Sequence, residues 1–194
     1  MDYPKITATI PCYNQPGLLS RLLANLTQQD YPNWEIVIVD DASSDNAALQ
    51  YRSLASLFPS LNITYRRNQE NLGAIANMIS CLMSPSAGEY LICLHEDDLL
   101  APGYLKQAAE ILSREANVAW VASPAIVFQP GETVAPQKTD SANYRHDAIS
   151  LAEAILSGNP FVFGSVVYRT SAIAPKNIEL EKYGVFFDRP FLIN

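Results

Sequence analysis

The chain has 194 residues, 48% of them hydrophobic and 17% charged. That is enough apolar material for one domain with a sizeable core, and too much for a disordered chain. Thirteen Lys and Arg against twenty Asp and Glu leave a formal charge of −7, a balance that disfavours nucleic acid and anionic membrane surfaces as partners and suits a divalent cation.

In chain order, Ile6 to Ile10 reads as a short buried strand, broken by the turn residues Pro11-Cys12-Tyr13-Asn14-Gln15-Pro16-Gly17. Leu18, Leu19, Leu22, Leu23 and Leu26 recur at helical spacing, and Asp30-Tyr31-Pro32-Asn33 closes that segment. Glu35 to Asp40 is β-branched and almost continuously apolar, the pattern of a strand covered on both faces. Ser43-Ser44-Asp45-Asn46 supplies capping residues for a helix through Leu54 and Leu57, and Ile63-Thr64-Tyr65 fits a third strand. Leu72 to Met83 predicts a helix with Ile75, Ile79 and Leu82 on one face. Tyr90 to Leu94 predicts a strand that stops at His95-Glu96-Asp97-Asp98. Pro102-Gly103 opens a further helix, and Val118 to Ala122 reads as a fifth strand. Residues 124 to 147 lose all periodicity and read as a long loop or lid, followed by a helix over Ala148 to Leu156 and a strand over Phe161 to Tyr168.

The alternation of strands and helices predicts an α/β fold with a doubly wound, mostly parallel sheet flanked by helices, whose ligand crevice lies at the carboxyl ends of the strands. The polar residues after strands one, two and four fall at those ends. Cys12, Cys81 and Cys93 are odd in number, lack metal-like spacing and sit among apolar residues, so they read as buried free thiols of a reducing compartment. No apolar run approaches the length that spans a bilayer, and Met1 to Lys5 lacks the features of a signal peptide. The two glycosylation sequons, at Asn25 and Asn62, are therefore read as accidental. The tail ends on an apolar run at Asn194, which reads either as a truncated chain or as a short natural variant.

The sequence contains no GxGxxG, P-loop, HExxH, GxSxG or CxxC, so dehydrogenase, P-loop ATPase, zinc protease and serine hydrolase readings lose support. It carries instead two acidic pairs, Asp40-Asp41 and Asp97-Asp98, each directly after a strand. Crowded carboxylates repel one another unless a cation or hydrogen-bond donors compensate them. A hard cation held by one or two carboxylates can take its remaining ligands from water and substrate phosphates. An isolated Asp-Asp is more readily a solvated helix start; two pairs on one parallel sheet favour the site.

Pro11-Cys12-Tyr13-Asn14, Val37-Ile38-Val39-Asp40-Asp41-Ala42-Ser43-Ser44-Asp45, Asn71-Leu72-Gly73 with Asn77, and Leu94-His95-Glu96-Asp97-Asp98 followed by Pro102 occur in order over roughly residues 5 to 122. Together they resemble the family 2 glycosyltransferases of the GT-A fold. No single piece is specific; the ordered set is. The resemblance implies that residues 1–122 form a nucleotide-sugar donor-binding half and residues 123–194 a loop and acceptor-side portion. It implies that Tyr13 stacks on the nucleotide base, with Pro11 shaping the turn, and that Asp41 accepts a hydrogen bond from the base imide. Asp97 would approach the ribose, and Asp98 would bind the Mg²⁺ or Mn²⁺ that bridges the diphosphate. Asn71, Gly73 and Asn77 would lie beside the donor or else serve as turn and helix-start residues. Asp188, in Phe186-Phe187-Asp188-Arg189-Pro190-Phe191, best matches the general base of an inverting transfer, or pairs with a surface cation.

The departure from the family pattern is at His95-Glu96, where many members place Asp. His95 is a further cation or phosphate ligand or a structural residue, and Arg66 and Arg67 are either diphosphate contacts or solvated side chains. Trp34, Tyr65 and Trp120 read as packing residues. The implied activity is transfer of a sugar from a UDP- or dTDP-sugar to a hydroxyl acceptor, such as a growing surface polysaccharide or a lipid-linked sugar, in the cytoplasm or at the inner face of a membrane. A non-catalytic nucleotide-sugar binding module and a sugar nucleotidyltransferase are the alternatives. The latter usually carries a basic Gly-rich loop after its first strand, and Pro11 to Gly17 holds no Lys or Arg.

Overall fold

The computed structural model describes residues 3–84, 88–124 and 161–173. The elements are β1 (Ile6–Cys12), α1 (Pro16–Leu26), β2 (Trp34–Asp40), α2 (Asp45–Leu57), β3 (Ile63–Arg67), α3 (Ala74–Leu82), β4 (Tyr90–Cys93), α4 (Tyr104–Arg114), β5 (Trp120–Pro124) and β6 (Phe161–Arg169), followed by one 3₁₀ turn. They build a six-stranded sheet of order β3-β2-β1-β4-β6-β5. β1 pairs in parallel with β2 and β4, and β2 with β3; β6 runs antiparallel to both β4 and β5.

Alternation along the strands divides the core into two layers. Ile6, Ala8, Ile10, Ile36, Ile38 and Ile92 face one side, where α1, α2 and α4 cover them; Val37, Val39, Leu91 and Cys93 face the other, against Cys81 and Leu82 of α3. Both faces of β2 and β4 are therefore apolar, which is why their sequences are nearly continuous hydrophobic runs, whereas β1 turns the buried Thr7 and Thr9 to its second face. α1 forms because Leu19, Leu22, Leu23 and Leu26 make one buried stripe, with Pro16 at its first turn. All three cysteines are buried free thiols, as expected. Trp34 and Tyr65 pack against the first layer and Trp120 against the second, again as expected.

The structure adjusts several local expectations. β1 continues through Pro11 to Cys12, because those residues still align with Val39 and Asp40 of β2. Ser44 is at the cap position of α2 without a side-chain capping bond. The Ser43 hydroxyl instead accepts from the backbone N–H of Asn14 (3.0 Å). α4 starts at Tyr104, after Gly103 in a left-handed conformation (φ 75°), so Pro102 precedes the helix instead of entering its first turn. β5 reaches Pro124, the first residue of the stretch read as a loop; the rest of that stretch and the helix expected over Ala148 to Leu156 lie outside the described residues.

The strand order reverses between β1 and β4: the chain steps outward from β1 to β3, then returns to place β4 on the other side of β1. In such sheets the crevice outside the carboxyl ends of the strands is the ligand position. α1 also secures the segment beyond β4. Arg21 and Asn25 lie one turn apart, with Gln29 just past the helix end. Arg21 donates to the carbonyl of Asp97 (3.1 Å). Asn25 both donates to the carbonyl of Leu100 (3.1 Å) and accepts from its N–H (2.8 Å). Gln29 bridges the carbonyl of Ala101 (2.9 Å) and the N–H of Leu105 (3.3 Å). A loop with no strand partner thus has its backbone polar groups satisfied by side chains, which fixes its course.

Candidate nucleotide-sugar site

A cavity of about 570 Å³ opens at the carboxyl ends of β1, β2 and β4. Of the residues proposed from sequence, Pro11, Tyr13, Asp41, Asn71, Gly73, Asn77 and Asp97 line it. Asp98 stands beside Asp97: one ligand atom each from His95, Asp97 and Asp98 lies within 4.8 Å of the others, a spacing that can hold a metal ion. Asp188 lies outside the described residues.

Tyr13 leaves the end of β1 on a tight turn and is 48% exposed, unusual for an aromatic ring and suited to stacking. The next residue, Asn14, takes a left-handed conformation (φ 56°), which Asn tolerates better than most residues. Its side-chain oxygen accepts from the N–H of Ser44 (2.9 Å), so the turn is tied to the loop after β2.

The two acids after β2 are buried and divide their work. Asp40 is fully buried. It accepts from the N–H of Ser43 (3.0 Å) and the Tyr65 hydroxyl (2.5 Å), and pairs with Arg67 (3.4 Å). Burial and this carboxylate push the Tyr65 hydroxyl up to about 12. Arg67 also donates to the carbonyl of Ser43 (2.5 Å), so its guanidinium serves the loop after β2. Asp41 is 2% exposed and lines the cavity. Its Oδ1 accepts from Asn68 (2.8 Å) and the N–H of Leu72 (2.9 Å), and its Oδ2 from the N–H of Gly73 (2.9 Å). A carboxylate offers about four acceptor directions, so roughly one remains on Oδ2.

Asn71 donates to the carbonyl of Asp41 (3.0 Å) and accepts from the N–H of Gly73 (3.1 Å). Gly73 is at φ 83°, where a side chain is strained. Asn77 is buried; it donates to the carbonyl of Val39 (3.0 Å) and accepts from Asn68 (3.0 Å). These three residues line the cavity and at the same time hold Asp41 in place.

After β4, Asp97 is exposed and Asp98 partly buried. Asp98 Oδ2 accepts from the N–H of His95 (2.8 Å). Burial raises the Asp98 carboxyl above the ordinary range, opposed by that bond and by His95. The His95 ring is 3.4 Å from the sulfur of Met78 on α3. Four residues that shape the site were not read from the sequence: Asn68, Tyr51, Arg21 and Gly164. Gly164 of β6 abuts Asp98: a methyl group there would stand 2.1 Å from Oδ2 and 2.9 Å from Cγ. Its signal was an isolated glycine within an apolar strand, which marks a close approach.

The acidic donor set fits Mg²⁺ or Mn²⁺, hard cations that take carboxylate oxygens and complete their shells with water and phosphate. His95 adds a borderline ligand compatible with Mn²⁺. An exposed aromatic, a buried acceptor and a cation-capable acidic cluster thus share one crevice.

An uncharacterised glycosyltransferase of Haemophilus influenzae is 28% identical over 159 residues, 81% of this chain and 51% of the relative. The Escherichia coli UDP-Glc:alpha-D-GlcNAc-diphosphoundecaprenol beta-1,3-glucosyltransferase WfgD is 25% identical over 173 residues, 84% of this chain and 65% of the relative. The chain therefore spans about half to two thirds of the length of these relatives. Among solved structures, S. aureus TarS 1-349 in complex with UDP superposes with a TM-score of 0.66 at 23% identity, covering 96% of this chain and 53% of that one. The mannosyltransferase PcManGT from Pyrobaculum calidifontis, in complex with GDP-Man and Mn²⁺, superposes with a TM-score of 0.63 at 21% identity, covering 95% and 48%. These likenesses establish the GT-A type of α/β fold. The family described as glycosyl transferase family 2 matches residues 7–172, and the chain belongs to that family.

Proposed function

We propose that the crevice binds a nucleotide diphosphate-sugar, with UDP- or dTDP-sugars preferred, and that the protein transfers the sugar to a hydroxyl acceptor with inversion. The observation that carries this reading is the convergence of Tyr13, Asp41 and Asp97 on one cavity, next to the cation-capable group of His95, Asp97 and Asp98. The names of the relatives support it: one uses UDP-Glc, and one solved neighbour carries UDP.

In this reading Tyr13 offers a face to the base, a contact worth ~1–3 kcal/mol. Asp41, an acceptor only, uses the free direction of Oδ2 for an imide N–H, which uracil and thymine present and cytosine and adenine do not. Asp97 stands toward the ribose. Asp98, with Asp97 and His95, holds Mg²⁺ or Mn²⁺, which when bound offsets charge developing on the leaving diphosphate. The solved neighbour with Mn²⁺ supports that cofactor class. Asp188 takes the proton from the attacking hydroxyl, and residues 123–194 serve the acceptor side, although β6 from that portion completes the donor sheet. A lipid-linked sugar acceptor fits the E. coli relative's name. Among the described residues no helix is long and apolar enough to cross a membrane.

Calorimetric titration with UDP, dTDP, CDP and ADP in the presence of Mn²⁺ tests the base assignment. UDP and dTDP are expected to bind at least about tenfold more tightly than CDP and ADP, because an unpaired buried acceptor costs 1–3 kcal/mol. Equal binding of all four would remove the role of Asp41. Release of free sugar from UDP-sugars, or its transfer, separates an enzyme from a binding module.

A further inference from the structure

The turn that carries Tyr13 leaves the sheet with three consecutive backbone N–H groups, and each is satisfied by a side chain from elsewhere. Tyr13 N–H donates to Glu96 Oε2 (3.3 Å), Asn14 N–H to the Ser43 hydroxyl (3.0 Å), and Gln15 N–H to the Tyr51 hydroxyl (2.8 Å). Tyr51 is fully buried on α2, and its hydroxyl donates a hydrogen bond to Glu96 Oε1 (2.7 Å). Both oxygens of Glu96 are thus committed to the base-side turn, directly through Tyr13 and indirectly through Tyr51 and Gln15. The next two residues, Asp97 and Asp98, point their carboxylates into the group with His95 that can hold a cation, and Glu96 is not among its members. Burial raises the Glu96 carboxyl, and the bonds from Tyr51 and Tyr13 oppose that rise. The three successive acids after β4 therefore face two different halves of the crevice.

We infer that Glu96 is a positioning residue for base recognition: it fixes the Tyr13 platform relative to the cation-holding loop and is not itself a cation ligand. The inference rests on the donor-binding reading and adds to it a role for the position at which this chain departs from the family pattern. Physically, glutamate is the residue for the task, because its extra methylene lets one carboxylate bridge the turn after β1 and the hydroxyl of α2 while its backbone stays in the loop after β4. The contact is a charge-assisted one, and losing it leaves Tyr13 N–H without its acceptor and Tyr51 without its own.

The test compares Glu96→Ala, Glu96→Gln, Tyr13→Ala, the Glu96→Ala/Tyr13→Ala pair and Asp98→Asn. Each is measured for affinity toward uridine, by saturation-transfer NMR, and toward UDP with Mn²⁺, by calorimetry, with thermal unfolding as the check on folding. Uridine has no diphosphate, so it reports the base half alone. Glu96→Ala is expected to weaken uridine and Mn²⁺–UDP by the same factor, about tenfold. In the Tyr13→Ala background that factor is expected to shrink to within about twofold, since coupled residues do not add. Glu96→Gln is expected to recover most of the affinity, because its amide oxygen still accepts from Tyr13 N–H. Asp98→Asn is expected to leave uridine unchanged and lose Mn²⁺–UDP. Unchanged uridine affinity in Glu96→Ala with a loss confined to Mn²⁺–UDP would make Glu96 a cation ligand and overturn the inference while leaving the donor reading intact. Additive losses with Tyr13→Ala would overturn it as well. A wild-type protein that binds neither uridine nor Mn²⁺–UDP would overturn the donor reading itself, and the inference with it.

Discussion

Asp98→Asn is expected to abolish Mn²⁺-dependent UDP binding and to lower sugar transfer by at least about a hundredfold, the scale of removing one preorganised electrostatic group from a reacting centre. The substitution keeps the shape of the side chain and removes only its charge. Its amide oxygen can still accept from the N–H of His95, which now bonds Oδ2 at 2.8 Å. Folding should not suffer. Burial raises the Asp98 carboxyl above its ordinary value, so the folded state disfavours the ionised form relative to the unfolded chain. The sign follows: the acid is at its least costly when protonated, and the cost of its charge is fully present once the pH lies above the raised value. At pH 7 the neutral amide removes that cost. The melting temperature is therefore expected to be unchanged or higher, while binding is lost. A variant that melted early and bound nothing would make Asp98 a structural residue.

Gly164→Ala is expected to damage the same function from the neighbouring strand β6. A methyl group at this position would stand 2.1 Å from Asp98 Oδ2 and 2.9 Å from its Cγ, well inside van der Waals contact. The Asp98 side chain is short, and the loop is held by the bond from Asp98 N–H to the carbonyl of His95 (3.1 Å) and by the grip of Arg21 on the carbonyl of Asp97. The carboxylate must therefore swing or the strand must shift. A displacement of about 1 Å at a reacting group costs on the order of a hundredfold in rate, and transfer is expected to fall by that amount, with a lower melting temperature. The Asp98→Ala/Gly164→Ala pair is expected to regain the melting temperature of Asp98→Ala alone without regaining activity, because the clash then has no partner. Wild-type turnover by Gly164→Ala would show that the crevice tolerates a displaced Asp98.

These two residues show what could be read from the sequence and what could not. Asp98 was legible because an acidic pair directly after an apolar strand is a local pattern. The central strands were legible for a similar reason: Ile36 to Val39 must be apolar on both faces, and that leaves a continuous run. The place of β6 was not legible. Nothing local in Phe161 to Arg169 says that it inserts between β4 and β5 and runs antiparallel to both; that is settled by long-range pairing. Gly164 gained its meaning only from that insertion. Asn68 is not legible, for a comparable reason. It follows β3 with no motif of its own, yet it bridges Asp41 and Asn77.

Ser43 shows the limit of local capping rules. Its position before a helix suggests a cap, whereas its hydroxyl is used by the turn after β1. Asp41 lines the cavity, and nothing in its sequence neighbourhood reveals that Asn68, Leu72 and Gly73 occupy most of its acceptor capacity. In the proposed reading, selectivity among bases depends on one remaining direction of a buried oxygen. The resemblance rests on the ordered set of motifs that includes Tyr13, Asp41, Asp97 and Asp98; the surrounding bonds explain how those residues are held.

The most direct measurement is an anomalous difference map from crystals grown with UDP and Mn²⁺, collected at the manganese edge. The account predicts one strong peak in contact with a carboxylate oxygen of Asp98 and with the diphosphate, and a uracil ring lying against Tyr13 with its imide toward Asp41. A manganese peak bound elsewhere, or uridine density outside the crevice between β1 and β4, would contradict it.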